Sequence, residues 1–250
     1  MGMSVPNSTI MKRINRQIYL LTLLIPLCGF CVAGTPGDTA TEQRNKGKWT
    51  ALFDGTSTDH WRGYKKDHLP AEWKIEDGTF TLTKKGGGYI VTKEQFESFD
   101  LRLDWKISEA GNSGLLFHVS EDPQFKYVYQ TGPEVQILDD ERHPDAKKGK
   151  EGTHKAGANY DLMPPMAASV KPAGEWNHVR LKVKKGHVQC WLNGKKVQDY
   201  RLGSPEWQQL VAKSKFAAMP QYGKFASGHI ALQDHGDRVW FRNIRIRRLP

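Results

Sequence analysis

The chain is short of the residues and patterns that mark several protein classes. It has three cysteines among 250 residues, which excludes a disulfide-stapled miniprotein, and it shows no internal repeat. The composition also excludes a collagen and a coiled coil. Its single long apolar run, from Ile18 to Val32, is too little for a multi-pass membrane protein.

Glycine and aromatic side chains, in contrast, are plentiful. There are 24 Gly, 8 Trp, 8 Tyr and 10 Phe, a combination typical of turn-rich β proteins. Apolar residues make up 38% of the chain and charged residues 26%, as in a folded protein and unlike a disordered one. The length suffices for one sandwich or barrel domain, or for two small domains.

The N-terminal segment has the pattern of a secretory signal. Lys12, Arg13 and Arg16 precede the apolar run, Pro26 interrupts it, and small residues follow it. A single membrane anchor is the alternative interpretation, although the run is short for one. We predict a signal peptide at residues 1–33, a polar linker at 34–47 and a folded domain at 48–250. Such a protein is exported to the periplasm or the extracellular space.

The cysteines bear on anchoring and on stability. Cys28 and Cys31 lie within the signal, so lipid attachment stays an alternative, but bulky Leu27 and Phe30 precede them where a lipoprotein signal has a small residue. Removal of residues 1–33 leaves Cys190 as the single cysteine, so the domain must be held by its core and not by a disulfide. The removal also takes three cations, which lowers the net charge from +10 to +7.

Much of the remaining positive charge lies in two places, the run at 147–150 and the tail with Arg245, Arg247 and Arg248. No nucleic-acid-binding motif accompanies either of them. We therefore predict a solvated basic surface and no nucleic-acid partner.

From Trp49 onward the hydrophobic pattern has a period of two. Residues 99–107 alternate strictly between apolar and polar side chains, as in a half-buried strand, and so do residues 179–183. Asn193-Gly194 predicts a tight hairpin between strands at 188–192 and 195–200. Further predicted strands lie at 73–75, 79–83, 115–119, 134–138, 228–233 and 239–246, and a single short helix at 205–212. Strands without βαβ alternation predict an all-β fold, a two-sheet antiparallel sandwich.

Several polar residues fall on the strand face opposite the core. If Leu115, Phe117 and Val119 point inward, His118 points outward, and Glu134 and Gln136 share the outer face for the same reason. Asp139 would face the wrong way unless a bulge intervenes. Gln233 and His235 share a face near the end of the chain, and Arg242 follows. Such side chains can hold sugar hydroxyls and carry out acid and base chemistry.

Each of these residues also has an interpretation without function. Glu134 and Arg242 could form a cross-strand ion pair. His235, beside Asp234 and Gly236, could cap a turn.

His143 and His154, together with three aspartates, could hold a metal, but no ligand spacing here is diagnostic. Those aspartates are Asp139, Asp140 and Asp145.

Eight short segments occur in one order that is known from a family. Together they resemble the 3-keto-disaccharide hydrolases, from about Trp49 to Leu249. The resemblance implies a concanavalin-like jelly-roll sandwich, export, and action on glycosides oxidised at C3. At the position of His118 members often carry Arg. The segments are 52–55, 111–114, 134–139, 160–162, 174–177, 192–195, 228–236 and 239–244.

The implied chemistry needs one base. A ketone at C3 acidifies the C2 proton, so His or Glu can remove it, and the enediolate then expels the C1 substituent before water adds. An ordinary retaining or inverting glycosidase instead needs two carboxylates. Laminarinase-type enzymes of this fold carry Glu-x-Asp-x-Glu or a variant with one more residue. Here the row is Glu134-x-Gln136-x-x-Asp139, and Gln136 cannot ionise, which disfavours that mechanism.

We therefore predict acid and base roles for Glu134 and His235, with Asp139 orienting a partner or binding a metal. The cofactor prediction is restricted to a divalent metal as an option, with no ligand set assigned. The expected partner is a carbohydrate, a 3-keto-glycoside, and the oligomeric state is left open. The predicted substrate-binding residues are Asn112, His118, Gln136, Gln233, Arg242 and His154.

Two other classes of function remain as alternatives. The domain could be a carbohydrate-binding module without catalysis, with Trp61, Tyr64 or Tyr89 as stacking platforms. It could also be a structural or adhesion domain whose polar face is inert. Catalysis differs from both because it requires a group that titrates near neutrality.

Overall fold

A computed structural model describes residues 47–250 of the chain. The predicted signal at residues 1–33 and nearly all of the predicted linker lie outside the described residues. In the part that is described, no helix is both long enough and apolar enough to cross a bilayer.

The regular secondary structure of the described chain is mainly β-strand, arranged as two antiparallel sheets. The large sheet has eight strands in the order β11-β10-β9-β6-β13-β4-β3, with β1 paired to β13, and the small sheet has five in the order β2-β5-β12-β7-β8. This confirms the predicted two-sheet sandwich. The strands are β1 (Thr50–Phe53), β2 (Trp61–Gly63), β3 (Trp73–Glu76), β4 (Thr79–Leu82), β5 (Ile90–Thr92), β6 (Phe99–Ile107), β7 (Asn112–Val119), β8 (Glu134–Leu138), β9 (Asn177–Lys184), β10 (His187–Leu192), β11 (Lys195–Arg201), β12 (His229–Leu232) and β13 (Val239–Arg248).

The core lies between the two sheets. Alternate residues of β6 point into it, so Phe99, Leu101 and Leu103 are fully buried while their polar neighbours point outward. The small sheet contributes Leu115, Phe117, Val135 and Ile137 from the other side, as the alternation predicted. Burial of these side chains contributes about 1.5–3 kcal/mol each, so the core suffices without a disulfide.

Local sequence explains the turns and the helix. Asn193 and Gly194 have φ of 50° and 81°, the left-handed values that a two-residue hairpin turn requires. The predicted helix is present as α1 (Pro205–Ala212), and the Ser204 side chain accepts a hydrogen bond from the Trp207 amide at its start. The strands β1, β2 and β5 were not predicted, because three or four residues show no readable alternation.

A bulge in β7 changes the predicted position of His118. Its φ is 53°, and the pairing of β7 with β12 shifts between the His229–Val119 and Ala231–Leu116 pairs. His118 is therefore 1% exposed and contacts Phe117 and Phe99, while Val119 turns to the opposite side of the sheet. The prediction that His118 shares the outer face with Glu134 was wrong, because strict alternation does not hold through a bulge.

Candidate functional site

The outer face of the small sheet holds a polar row along β8, which we call the site face. Glu134 and Gln136 lie on it, as predicted, because Val135 and Ile137, which alternate with them along β8, point into the core. Gly114 of β7 pairs with Gln136 and lies against the Glu134 side chain. A Cβ at Gly114 would overlap Oε1 of Glu134, so glycine is what allows the carboxyl to lie here.

Glu134 is the buried carboxyl of this face. It is 6% exposed, and burial raises its pKa from 4.5 to about 7. The nearby Asp145 carboxylate raises this pKa further, and the Lys215 ammonium lowers it. Among the described residues none donates a hydrogen bond to the carboxyl. Glu134 is therefore poised to take up or release a proton near neutral pH.

Amide side chains with unsatisfied atoms lie along the site face and on the loop beside it. Both polar atoms of Gln136 and of Asn159 are buried and lack a hydrogen-bond partner among the described residues. Oε1 of Gln233 and Oδ1 of Asn112 are in the same condition, although Gln233 Nε2 donates to the Tyr89 hydroxyl at 3.0 Å. An unpaired buried polar group costs about 1–3 kcal/mol, so this arrangement calls for a ligand with hydroxyl or carbonyl groups.

Backbone pairing brings these amides together. The backbone N–H of Gln233 donates to the Gly114 carbonyl at 3.0 Å, which aligns the end of β12 with Gln136. On the other side of β8 the backbone N–H of Gln136 donates to the Ala158 carbonyl at 3.0 Å. Asn159 forms an isolated β-bridge with Val135. Residues from β7, β8, β12 and one loop thus meet at a single place.

The loop after β8 forms a charged wall beside Glu134. Tyr160 donates its hydroxyl proton to Asp145 Oδ2 at 3.0 Å, and the ring of His154 stacks on it at 4.3 Å. Nε2 of His154 lies 3.0 Å from Asp161 Oδ1. Lys215 lies over the Tyr160 ring at 4.0 Å, without a carboxylate within ion-pair distance among the described residues. His154 therefore lies at the site, as part of its wall.

A second cluster lies near the end of the row that Asn112 occupies. Ligand atoms of His143, His235 and Asp237 all lie within 4.8 Å of one another. Asp237 Oδ2 accepts a hydrogen bond from the backbone N–H of Asn112 at 3.0 Å. His143 Nδ1 accepts one from the backbone N–H of Asp145 at 3.1 Å. Each of the three side chains still has a nitrogen or oxygen atom that could ligate a metal ion. The set therefore fits a divalent metal ion with open coordination positions.

This set differs from the sequence-based metal candidates. Asp140 accepts the Ala156 amide and His154 belongs to the charged wall, so of the five candidates His143 alone lies in the cluster. Asp237 was missed, because a ligand set gathered from two distant loops has no spacing in the sequence that could reveal it.

Asp139 is committed to backbone amides. Its carboxylate accepts from Ala110 at 2.8 Å and from Glu141 at 3.2 Å, and Arg142 adds a further amide and its guanidinium. These donors lower the pKa of Asp139 against the raising effect of its burial. The side chain holds the turn after β8 in place, and it is not directed along the polar row with Glu134 and Gln136.

Arg242 does not belong to the site face. It lies on β13 of the large sheet, where its guanidinium donates to Asp104 Oδ2 at 3.2 Å and stacks on Trp176 at 3.9 Å. The alternative of an ion pair between Arg242 and Glu134 was wrong, because the two residues lie on different sheets. A role of Arg242 in substrate binding stays a prediction. Alternation identifies which residues point away from the core, but not which of the two sheets they lie on.

Of the three aromatic residues predicted as stacking platforms, two lie at the site face and one lies in the core. Trp61 is 2% exposed in the core and donates from Nε1 to the Leu52 carbonyl, so it cannot stack on a sugar. Tyr64 and Tyr89 are partly buried against the site face, beside Tyr129. Sequence reasoning missed Tyr160 and Lys215 as site residues and named Asp145 only as a possible metal ligand. The position of Tyr160 in a family segment was the one available signal.

Comparisons with known proteins show which family this chain belongs to. Residues 48–247 match the family described as the 3-keto-alpha-glucoside-1,2-lyase-like domain. A 3-keto-disaccharide hydrolase of Bacteroides thetaiotaomicron strain VPI-5482 is 36% identical over 225 residues, which cover 80% of this chain and 78% of the relative.

Solved structures show the same fold. Two crystal structures of proteins from Parabacteroides distasonis ATCC 8503, both named "putative glycosyl hydrolase", are similar to this chain. One is 36% identical with a TM-score of 0.74, and covers 85% of this chain and 98% of its own. The other is 32% identical with a TM-score of 0.62, and covers 81% of this chain and all of its own (100%). The resemblance inferred from the eight sequence segments is thereby confirmed, and the chain belongs to the family of 3-keto-alpha-glucoside-1,2-lyase-like domains.

Proposed function

We propose that this protein is an enzyme that cleaves the glycosidic bond of 3-keto-glycosides, with Glu134 as the base that removes the C2 proton. The observation that carries the proposal is a buried carboxyl with a pKa of about 7, set among amide groups that lack partners. The relative named 3-keto-disaccharide hydrolase supports the substrate class.

The reaction begins at C2 of the sugar. The Glu134 carboxylate takes the C2 proton, and the electrons of the broken C–H bond form an enediolate with the C3 ketone. Collapse of the enediolate forms the C1–C2 double bond and breaks the bond from C1 to the leaving oxygen, which takes up a proton. Water then adds across C1 and C2, so the overall change is hydrolysis.

The amides of the site face support the charged intermediate. Gln136 has an NH₂ group that can donate to the developing oxyanion, and its carbonyl can hold a sugar hydroxyl. Asn159 offers the same two groups on the neighbouring loop. These donors are held by strands and backbone pairing before substrate arrives, so little reorganisation opposes the reaction.

Two further groups have the chemistry for the remaining steps. The Tyr160 hydroxyl, bound to Asp145, lies in the wall next to Glu134 and can protonate the leaving oxygen. His143, His235 and Asp237 would hold a divalent metal ion, which when bound would supply a Lewis acid for the ketone oxygen.

An ordinary glycosidase mechanism receives no support from the site face. Glutamine occupies position 136, and the Asp139 carboxylate is bound by backbone amides. A second carboxylate placed across the glycosidic bond from Glu134 is what that mechanism would need.

We also propose that the protein is exported, on the signal-like pattern of residues 1–33. N-terminal sequencing of the protein recovered outside the cytoplasm tests this, and an N-terminus near residue 34 is the expected result.

The test of the function compares two chromogenic substrates, a 3-keto-glucoside and its unoxidised parent. We expect release of the chromophore from the keto compound alone, and loss of this release in Glu134→Gln. The matched control is Glu97→Gln, which removes the same charge from an exposed position. Release from the unoxidised parent, or full activity of Glu134→Gln, would contradict the proposal.

A further inference from the structure

The outward face of the large sheet carries a dense excess of positive charge. On the outward side of β6, β9, β10, β11 and β13, which we call the cationic face, there are ten Lys or Arg residues and three Asp residues. The alternation of each strand puts this charge on one broad surface, away from the site face.

The three acids are already occupied. Asp100 is buried and accepts from Arg180 and Arg247, each at 2.9 Å. Asp104 accepts from Arg242 and His178, and Asp199 from Lys196 and His187. The other cations of the face have no carboxylate within ion-pair distance among residues 47–250, except that Arg102 lies 3.9 Å from the same Asp100.

One part of this face is a small cavity in which Lys and Arg supply four of the six lining residues. It has a volume of about 260 Å³ and is lined by Lys182, Lys184, Lys185, His187, Gln189 and Arg201. No carboxylate lines it. Strand pairing places Lys184, His187 and Arg201 in one row across β9, β10 and β11, with neighbouring strands about 4.8 Å apart. The Lys and Arg side chains around the cavity repel one another, so an anion bound among them would be favoured.

We propose that the cationic face binds a linear acidic polysaccharide, with a sulfate or carboxylate group of the polymer seated in this cavity. The charge of the face is complementary to such a polymer, which repeats anionic groups along its length. This inference goes beyond the proposed reaction, because the cavity and the site face lie on different sheets.

The tryptophans of the face argue against a single-stranded nucleic acid. That ligand needs open aromatic rings for its bases to stack on. Arg180 covers the ring of Trp191 at 4.9 Å, and Arg242 covers that of Trp176 at 3.9 Å. The rings of Trp49 and Trp240 are covered by cations as well.

A membrane surface is also disfavoured. Among the described residues, Trp49 is the one large hydrophobic side chain that is exposed on this face, at 37%. Arg102, Arg245 and Arg247 lie over that ring, so a single tryptophan surrounded by cations is all that this face offers for insertion among lipid chains.

The test measures binding of the whole chain to dextran sulfate and to polygalacturonate, with neutral dextran as the reference. The variant Lys182→Gln/Lys184→Gln is compared with Lys171→Gln/Lys213→Gln, which removes the same charge elsewhere on the surface. We expect the first variant to bind an acidic polymer at least about tenfold more weakly, with a shallower dependence on salt, and the control to change less than about twofold. Turnover of the 3-keto substrate stays unchanged in both variants.

The two acidic polymers distinguish the anionic group, since binding of one alone identifies sulfate or carboxylate as the ligand. Equal weakening in the control variant, or equal binding of neutral dextran, would overturn the proposal. Tighter binding of a single-stranded oligonucleotide or of anionic lipid vesicles than of either polymer would overturn it as well. Because turnover is measured on the same samples, failure here is distinguishable from failure of the proposed reaction.

Discussion

Gly114 lies directly against the Glu134 carboxyl, so that a Cβ at Gly114 would overlap Oε1 and lie 2.8 Å from Cδ. The two residues come from paired strands, β7 and β8, and the contact is between a backbone and a side chain. The position of the proposed base therefore depends on the absence of a side chain on the neighbouring strand.

Gly114→Ala is expected to lower kcat for the 3-keto substrate by about 100-fold, because a base displaced by about 1 Å loses its alignment with the C2 proton. The thermal midpoint of unfolding should change little, since a flexible carboxyl can move aside. Steady-state kinetics and a melting curve on the same preparation measure both. In a Glu134→Gln background the same change should cost nothing further, and an additional large loss there would contradict the contact as the cause.

The pH dependence of kcat/KM should follow the ionisation of Glu134. The base acts as its carboxylate, so activity rises with pH through a midpoint near the pKa of about 7. Asp145→Asn removes a negative charge and should move this midpoint to lower pH, whereas Lys215→Met removes a positive charge and should move it to higher pH. Midpoints that shift together, or remain fixed, would exclude Glu134 as the titrating base.

The buried carboxyl also makes stability depend on pH. Its pKa of about 7 in the folded protein is above the ordinary value of 4.5, so the folded state binds the proton more tightly than the unfolded state. The contribution of the neutral form is complete below pH 4.5 and is lost as the pH rises to about 7, by about 3 kcal/mol in the free energy of unfolding.

Glu134→Gln should abolish that loss, because glutamine does not ionise. Denaturant unfolding at pH 5 and pH 8 compares the two proteins, and the variant is expected to be the more stable at pH 8. If both proteins lose the same stability over this interval, other groups cause the change.

The cluster of His143, His235 and Asp237 is expected to bind a divalent cation. Calorimetric titration of the metal-free whole chain with Mn²⁺ or Zn²⁺ measures this binding independently of activity. His143→Ala should weaken binding at least about tenfold, since one of three ligands is lost. His187→Ala is the control, because that histidine pairs with Asp199 on the other sheet. Equal effects of the two variants would argue against the cluster.

Strand alternation and turn chemistry determined most of the fold from the sequence. The hairpin at Asn193-Gly194 and the helix at Pro205–Ala212 are local features, and their predicted positions agree with the structure. The alternation of β8 also identified Glu134 and Gln136 as neighbours on the side away from the core. The family segments then supplied the class of chemistry, which the residue pattern by itself left open.

Tertiary structure alone decided which of these residues share a site. His118 moved because a bulge breaks the alternation, and Arg242 because its strand belongs to the other sheet. Asp237 and Tyr160 entered the site from loops that no short-range pattern connects to β8. Periodicity is a property of neighbours along the chain, whereas a site is built from residues that pairing and packing bring together from distant positions, and so the sequence determined the strands and the structure determined their meeting place.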